Sequence, residues 1–95
     1  NLLRYRDLTL DLDAYTVMRV DQMLELTNRE LECLRELLQN QGRVMTYPML
    51  VSRIWNYDYL GDDRVIYSHI KNLRRKLGAD YIRTVRGVGY RVDKD

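Results

Sequence analysis

The chain has one cysteine, one histidine and one proline among its 95 residues. Each scarcity removes a class of explanation. A lone Cys33 cannot close an internal disulfide, which fits a reducing compartment. No two Cys or His residues stand at ligand spacing, so no metal and no cofactor is expected. The same shortage leaves no nucleophile–base pair. Cys33 sits among leucines, at a core or boundary position, and the acids are spread over solvated helix and loop positions, so catalysis is not expected. No apolar run approaches the roughly 20 residues of a membrane span. The opening Asn1-Leu2-Leu3-Arg4-Tyr5-Arg6-Asp7 has neither the basic nor the long apolar region of a signal peptide, and the missing initiator Met suggests a piece of a longer protein. No internal repeat or linker is visible.

What is present is enough for one domain. An apolar content of 45% supports a modest core, and 32% charged residues keep the chain out of the low-complexity class. The net charge of +2 hides an asymmetry. Residues 64–91 hold eight of the 16 basic residues and one acid, Asp80, while residues 1–63 hold seven basic residues and 11 acids. A polyanion partner for one side of the fold is the natural reading; a solvated basic helix beside a hairpin is the plain one.

Patterning divides the chain into strands, three helices and a hairpin. Leu8-Thr9-Leu10-Asp11-Leu12 alternates apolar and polar residues, as a half-buried strand does. Tyr15–Val20 is rich in β-formers, and Asp21-Gln22 offers a turn before Met23–Leu26. Three or four strands in an antiparallel meander are therefore expected. Thr27-Asn28-Arg29-Glu30 is a capping box, and Leu31, Leu34, Leu37 and Leu38 form the buried stripe of the helix it opens. Gly42 is placed to end that helix. Thr46 can cap a second helix that tolerates Pro48 in its first turn and buries Leu50, Val51, Ile54 and Trp55. Residues 56–63 read as a loop, with Asp62 or Asp63 as the cap of a third helix that stops at Gly78. Tyr81–Val85 and Tyr90–Val92 flank the glycine-containing turn Arg86-Gly87-Val88-Gly89, a hairpin signature.

The third helix is the informative element. At about 100° per residue, Ile66, Ile70, Leu73 and Leu77 share one face, and Arg64, Ser68, Lys71 and Arg75 lie opposite. Tyr67 and Arg74 flank the basic face on one side and Asn72 on the other; His69 and Lys76 sit nearer the core. Solvated helices usually mix signs, because pairs of opposite charge four residues apart stabilise them. Here the cations repel one another, and a phosphate backbone would relieve that repulsion. A B-DNA major groove admits an α-helix, and Arg64 to Arg75 spans about 16 Å, enough for the ends to reach phosphates while the middle faces bases. The hairpin lifts Arg86 on a narrow tip, suited to a narrow minor groove, although an ordinary glycine turn with a stray arginine would look the same.

These motifs resemble the winged-helix effector domain of OmpR/PhoB-type response regulators over essentially the whole chain. The specific marks are LTNRELECLRELLQN, SRIW, DDRVIYSHIKNLRRKLG and YIRTVRGVGYRV. The resemblance implies an α+β fold: a winged helix-turn-helix with an N-terminal antiparallel sheet, three helices and a C-terminal β-hairpin wing. It implies sequence-specific binding to double-stranded DNA, with the third helix in the major groove and the wing in the minor groove. Position by position, Arg64, His69, Arg74 and Arg75 match backbone contacts, and Ser68, Lys71 and Asn72 occupy base-facing or adjacent positions, with Tyr67 beside them. Thr84, Arg86 and Tyr90 match wing positions. Trp55 matches a tryptophan that can offer its indole N–H to a phosphate, or it is a partly buried core residue. Asn56, Tyr57, Asp58, Tyr59, Leu60, Gly61 and Asp62 match a loop that contacts RNA polymerase in several members.

The chain departs from the family where Tyr67 and Ser68 replace an Asp and an apolar residue. A tyrosine cannot accept from a cytosine amino group as a carboxylate can, so no sequence preference is carried over. Tyr47-Pro48-Met49 also replaces a Ser/Thr-Arg-Glu start. Further implications are an N-terminal receiver domain outside this chain, a cognate histidine kinase and tandem half-sites. A cytoplasmic location is expected, and so is a monomeric isolated domain, because no long apolar seam remains once the core is assigned. Two other partners stay open on the residues alone: an acidic protein, and RNA, whose A-form major groove is too deep and narrow for this helix. A salt slope for duplex binding of roughly −4 to −7 in log K against log[salt] would separate DNA from an acidic protein.

Overall fold

The computed structural model describes residues 1–55 and 64–95. The expected loop, with its polymerase-contacting residues 56–62 and the cap at Asp62 or Asp63, lies outside the described residues.

Four short strands, β1 (Leu2–Tyr5), β2 (Leu8–Asp11), β3 (Thr16–Arg19) and β4 (Gln22–Leu24), form an antiparallel meander in chain order. The alternation in β2 sends Leu8 and Leu10 inward, and Leu10 pairs with Leu3 on one side and Val17 on the other. The turn before β4 falls one residue earlier than the sequence suggests. Arg19 pairs with Gln22, leaving Val20-Asp21 as a two-residue loop. Val20 accordingly takes φ 53°, an uncommon conformation for a β-branched residue.

Helix α1 (Asn28–Leu38) opens on the expected capping box: Glu30 N donates to Thr27 Oγ1 at 3.2 Å and Thr27 N donates to Glu30 Oε1 at 2.9 Å. Its end differs from expectation. The helix stops at Leu38, four residues before Gly42. The reason is Asn40, whose side chain donates to Glu36 O (2.7 Å) while its backbone N–H tightens onto Leu37 O (3.1 Å), satisfying carbonyls that another helical turn would need. Gly42, at φ +80°, instead turns the chain so that its N–H donates to Val92 O.

Strand β5 (Met45–Thr46) then leads directly into α2 (Tyr47–Trp55), where Thr46 Oγ1 accepts from Met49 N (3.3 Å) as a cap. Helix α3 runs Arg64–Leu77 and ends at Gly78, φ +111°, whose N–H donates to Arg74 O at 2.7 Å. The hairpin consists of β6 (Arg83–Val85), shorter than the run Tyr81–Val85, and β7 (Gly89–Arg91), as long as the run Tyr90–Val92 but one residue earlier. Pairing with β5 makes a second sheet, in the order β5-β7-β6. That third strand was not anticipated.

The three helices share one core with both sheets. Leu34 and Leu37 of α1, Leu50 of α2 and Ile66, Ile70 and Leu73 of α3 are buried with Tyr5, Leu8 and Leu10 of the first sheet and Ile82, Tyr90 and Val92 of the hairpin segment. Beside the first sheet, Arg19 donates to Leu77 O, tying the C-terminus of α3 to β3, and Tyr81 donates to Asp7 Oδ1, tying the segment after α3 to the β1–β2 turn. The third helix is thus held at both its apolar stripe and its end.

Candidate nucleic-acid interface

Helix α3 turns one side inward and leaves the other in solvent. Ile66, Ile70, Leu73 and Leu77 are at most 3% exposed, while Arg64, Tyr67, Ser68, Lys71 and Arg75 are exposed. Asn72 is half-buried at the margin. The cationic stripe read from the helical period is therefore a real face, and no other described segment covers it. At the hairpin, Arg86 is exposed next to Gly87, φ +75°, in a turn closed by a Val88 N–H bond to Val85 O (2.9 Å). The wing tip is also pinned to α2, because Tyr47 N donates to Val88 O at 3.2 Å.

Several residues expected to contact DNA have structural tasks. Arg74 donates Nε and Nη2 to Ile82 O at 3.2 and 2.8 Å, donates Nη2 to Thr84 Oγ1 at 2.7 Å, and lies 5.5 Å from the Tyr90 ring centroid. It is a strut between α3 and the wing. Thr84 is exposed but its hydroxyl already accepts that bond. Tyr90 is 5% exposed, so its ring belongs to the core rather than to an outer contact surface. Thr84 and Tyr90 thus both meet Arg74 beside the turn that carries Arg86.

A second cluster surrounds the start of α1. Glu30, 2% exposed, accepts from Lys76 Nζ at 2.6 Å in addition to its capping-box bond. This acid is not one of the solvated positions the sequence suggests. Burial alone would raise its pKa, but the bonds from Lys76 and the Thr27 amide, with the Lys76 and His69 charges, hold it below the ordinary glutamate value. His69 has no acid on its own helix face, yet packing brings Glu30 near it. Burial still dominates and, with Arg29, lowers the His69 pKa against the pull of Glu30. Burial therefore favours the uncharged imidazole, which offers an N–H. Its ring lies 5.1 Å from that of the half-buried Trp55. Arg29 covers the same indole at 5.0 Å and donates to Ile54 O at 2.6 Å, closing the end of α2. Sequence reasoning missed Arg29, Lys76 and Tyr47; the only signals were the capping box and the unusual Tyr47-Pro48-Met49.

The Glu30 cluster makes a pH prediction. A depressed carboxyl pKa contributes stability that is present above the unfolded value, near 4.5, and lost as pH falls through the folded value. Glu30→Gln is expected to lower stability by about 1.5–2 kcal/mol at pH 7, the worth of a hydrogen bond to a charged group. The gap between variant and parent should close as pH drops below 4.5. Urea unfolding at pH 7, 5 and 3.5 measures this.

Cys33 is fully buried, and burial, followed by the nearby Glu32 and Glu30, pushes its thiol up to about 12. Among the described residues no group of His, Cys, Asp and Glu side chains is arranged to hold a metal ion, and no helix is long and apolar enough to cross a membrane.

Two consecutive helices packed on a core, an exposed basic third helix and a strand-anchored hairpin define a winged-helix DNA-binding domain. The chain belongs to the family described as "Transcriptional regulatory protein, C terminal", whose model matches residues 21–92. It is 46% identical over 87 residues to the regulatory protein VanRB of Enterococcus faecalis, a match that covers 92% of this chain and 40% of that protein. The chain therefore spans less than half the length of this curated relative. Among solved structures it is similar to the Klebsiella pneumoniae RstA DNA-binding domain in complex with the RstA box, with TM-score 0.90, 28% identity and coverage of 98% of this chain and 97% of that one. It also matches the response regulator DrrB, an OmpR/PhoB homologue of Thermotoga maritima, with TM-score 0.85, 31% identity and coverage of 98% and 44%. The fold is that of an OmpR/PhoB-type effector domain, the DNA-binding part of a transcriptional response regulator.

Proposed function

We propose that residues 1–95 act as one unit that docks α3 into the major groove of double-stranded DNA and sets Arg86 against the minor groove. The observation that carries this is the exposed Arg64–Ser68–Lys71–Arg75 stripe opposite a fully buried one. Arg64, Lys71 and Arg75 neutralise phosphates, and the neutral N–H groups of His69 and Trp55 hydrogen-bond to them. Phosphate contacts of this kind set register, and base contacts supply sequence information. Ser68, Asn72 and Tyr67 stand where bases would be read, with Lys71 able to serve either purpose. Arg74, Thr84 and Tyr90 hold the wing at a fixed distance from α3. The action is binding rather than catalysis.

The wider protein would add a receiver domain and a cognate histidine kinase, and its copies would occupy tandem half-sites from the cytoplasm. Residues 56–62 would meet RNA polymerase. The isolated domain would be monomeric, with modest affinity for one half-site. Similarity to VanRB and DrrB supports this reading, since both are longer regulators.

Two substitutions test the division of labour. Asn72→Ala should relax preference at one base position by about 1–3 kcal/mol, whereas Arg75→Ala should weaken all duplexes about equally and flatten the salt slope by about one unit. With Arg64, Lys71, Arg75 and Arg86 as the cations left after Arg74 and Lys76 are assigned to the protein itself, the parent slope should be roughly −3 to −4. Fluorescence anisotropy across a salt series gives both numbers. A flat salt dependence would favour an acidic protein partner instead.

A further inference from the structure

The exposed face of α3 carries one large aromatic side chain, and the structure gives it an unusual support. Tyr67 is 43% exposed and packs T-shaped against Tyr47, ring centroids 5.5 Å apart. Tyr47, 8% exposed, packs T-shaped against Tyr90 at 5.6 Å, and Arg74 lies over Tyr90 while bonded to Ile82 and Thr84. A row of three rings thus runs from the wing strands through the start of α2 to the outer face of α3. A tyrosine has two side-chain torsions, and one so seated loses little freedom when it docks.

We infer that Tyr67 is a specificity-determining residue that reads the C5-methyl group of thymine in the major groove, held in place by Tyr47. This rests on the DNA-binding reading above and adds the chemistry of one base position. Ser68 follows Tyr67 in the chain and Lys71 lies one turn on, so the ring sits inside the stripe that faces the groove. A tyrosine ring cannot accept from the cytosine amino group as a carboxylate does, and its apolar surface suits the one apolar group a base pair presents there. The predicted preference is therefore for a pyrimidine bearing a 5-methyl group, over cytosine or a purine.

The test separates the methyl group from every hydrogen bond. A duplex selected from a random pool is rebuilt with each thymidine replaced, one at a time, by deoxyuridine, which lacks only that methyl. One replacement per half-site should weaken binding about fourfold, the value of burying one such group (~0.8 kcal/mol). 5-Methylcytosine against cytosine at the same place should show the same sign. Tyr67→Phe keeps the penalty because it keeps the ring. Tyr67→Ala abolishes it, and Tyr47→Leu reduces it without changing the salt slope, which a merely structural role for Tyr47 would not do. Steep, salt-dependent duplex binding with no deoxyuridine penalty at any position would overturn this inference and leave the DNA-binding reading standing. Absence of salt-dependent duplex binding would overturn both.

Discussion

Lys71→Glu combined with Arg75→Glu is expected to weaken duplex binding about 100-fold or more near 0.15 M salt and to lower the salt slope by about two units. Both side chains are exposed on the outer stripe of α3. Replacing two cations removes two phosphate neutralisations, and the new carboxylates add repulsion. The same change should cost little stability, because both side chains are exposed. The two introduced carboxylates stand four residues apart and exchange one like-charge pair for another, an effect of a few tenths of a kcal/mol. The melting temperature should change little while binding collapses. Arg4→Glu, which reverses one exposed charge on β1, serves as the control and should reduce affinity far less. Equal losses from the two proteins would remove α3 from the interface.

Gly89→Ala is expected to cost about 3 kcal/mol or more, from backbone overlap and lost strand hydrogen bonds. Gly89 pairs with Thr46 across the β5–β7 ladder. A Cβ at Gly89 would overlap the Met45 carbonyl oxygen and come within 2.8 Å of Thr46 Cα. These are backbone atoms and cannot swing away, so the strands must part. Their separation also removes the seat of Tyr90 beneath Tyr47 and frees the wing tip from α2. For a domain of this size the melting temperature should fall by more than about 12 °C. Gly87→Ala is the informative contrast. Nothing lies within 4 Å of a Cβ there, so only the φ of +75° is penalised, at about 1–2 kcal/mol. Amide exchange should then show β5 and β7 unprotected in the Gly89 variant and intact in the Gly87 variant. If both variants melt alike, close approach is not what Gly89 provides.

The exposed cationic face of α3 was unusually legible because it depends on a single helical period. Ile66, Ile70, Leu73 and Leu77 repeat at the spacing of one helix face, and a helix that buries that face must expose Arg64, Ser68, Lys71 and Arg75. The capping box at Thr27 and the stop at Gly78 are local too, since their bonds close within four residues. Gly42 shows where local reasoning stops. A glycine near a helix end was a sound expectation, but Asn40 reached back to Glu36 first.

Composition and periodicity alone determined that this chain forms three helices between strands and a hairpin, with one cationic face turned outward, because those features follow from interactions a few residues apart. Only the tertiary structure decided which polar groups are available to a partner. Arg74 meets Ile82 and Thr84, Lys76 meets Glu30, and Tyr47 meets Tyr67 and Tyr90 through contacts eight to 46 residues distant in sequence. Strand β5 belongs to the same group. Its two residues have no period to read, and they are a strand because Gly89, 43 positions later than Thr46, lets another backbone come close.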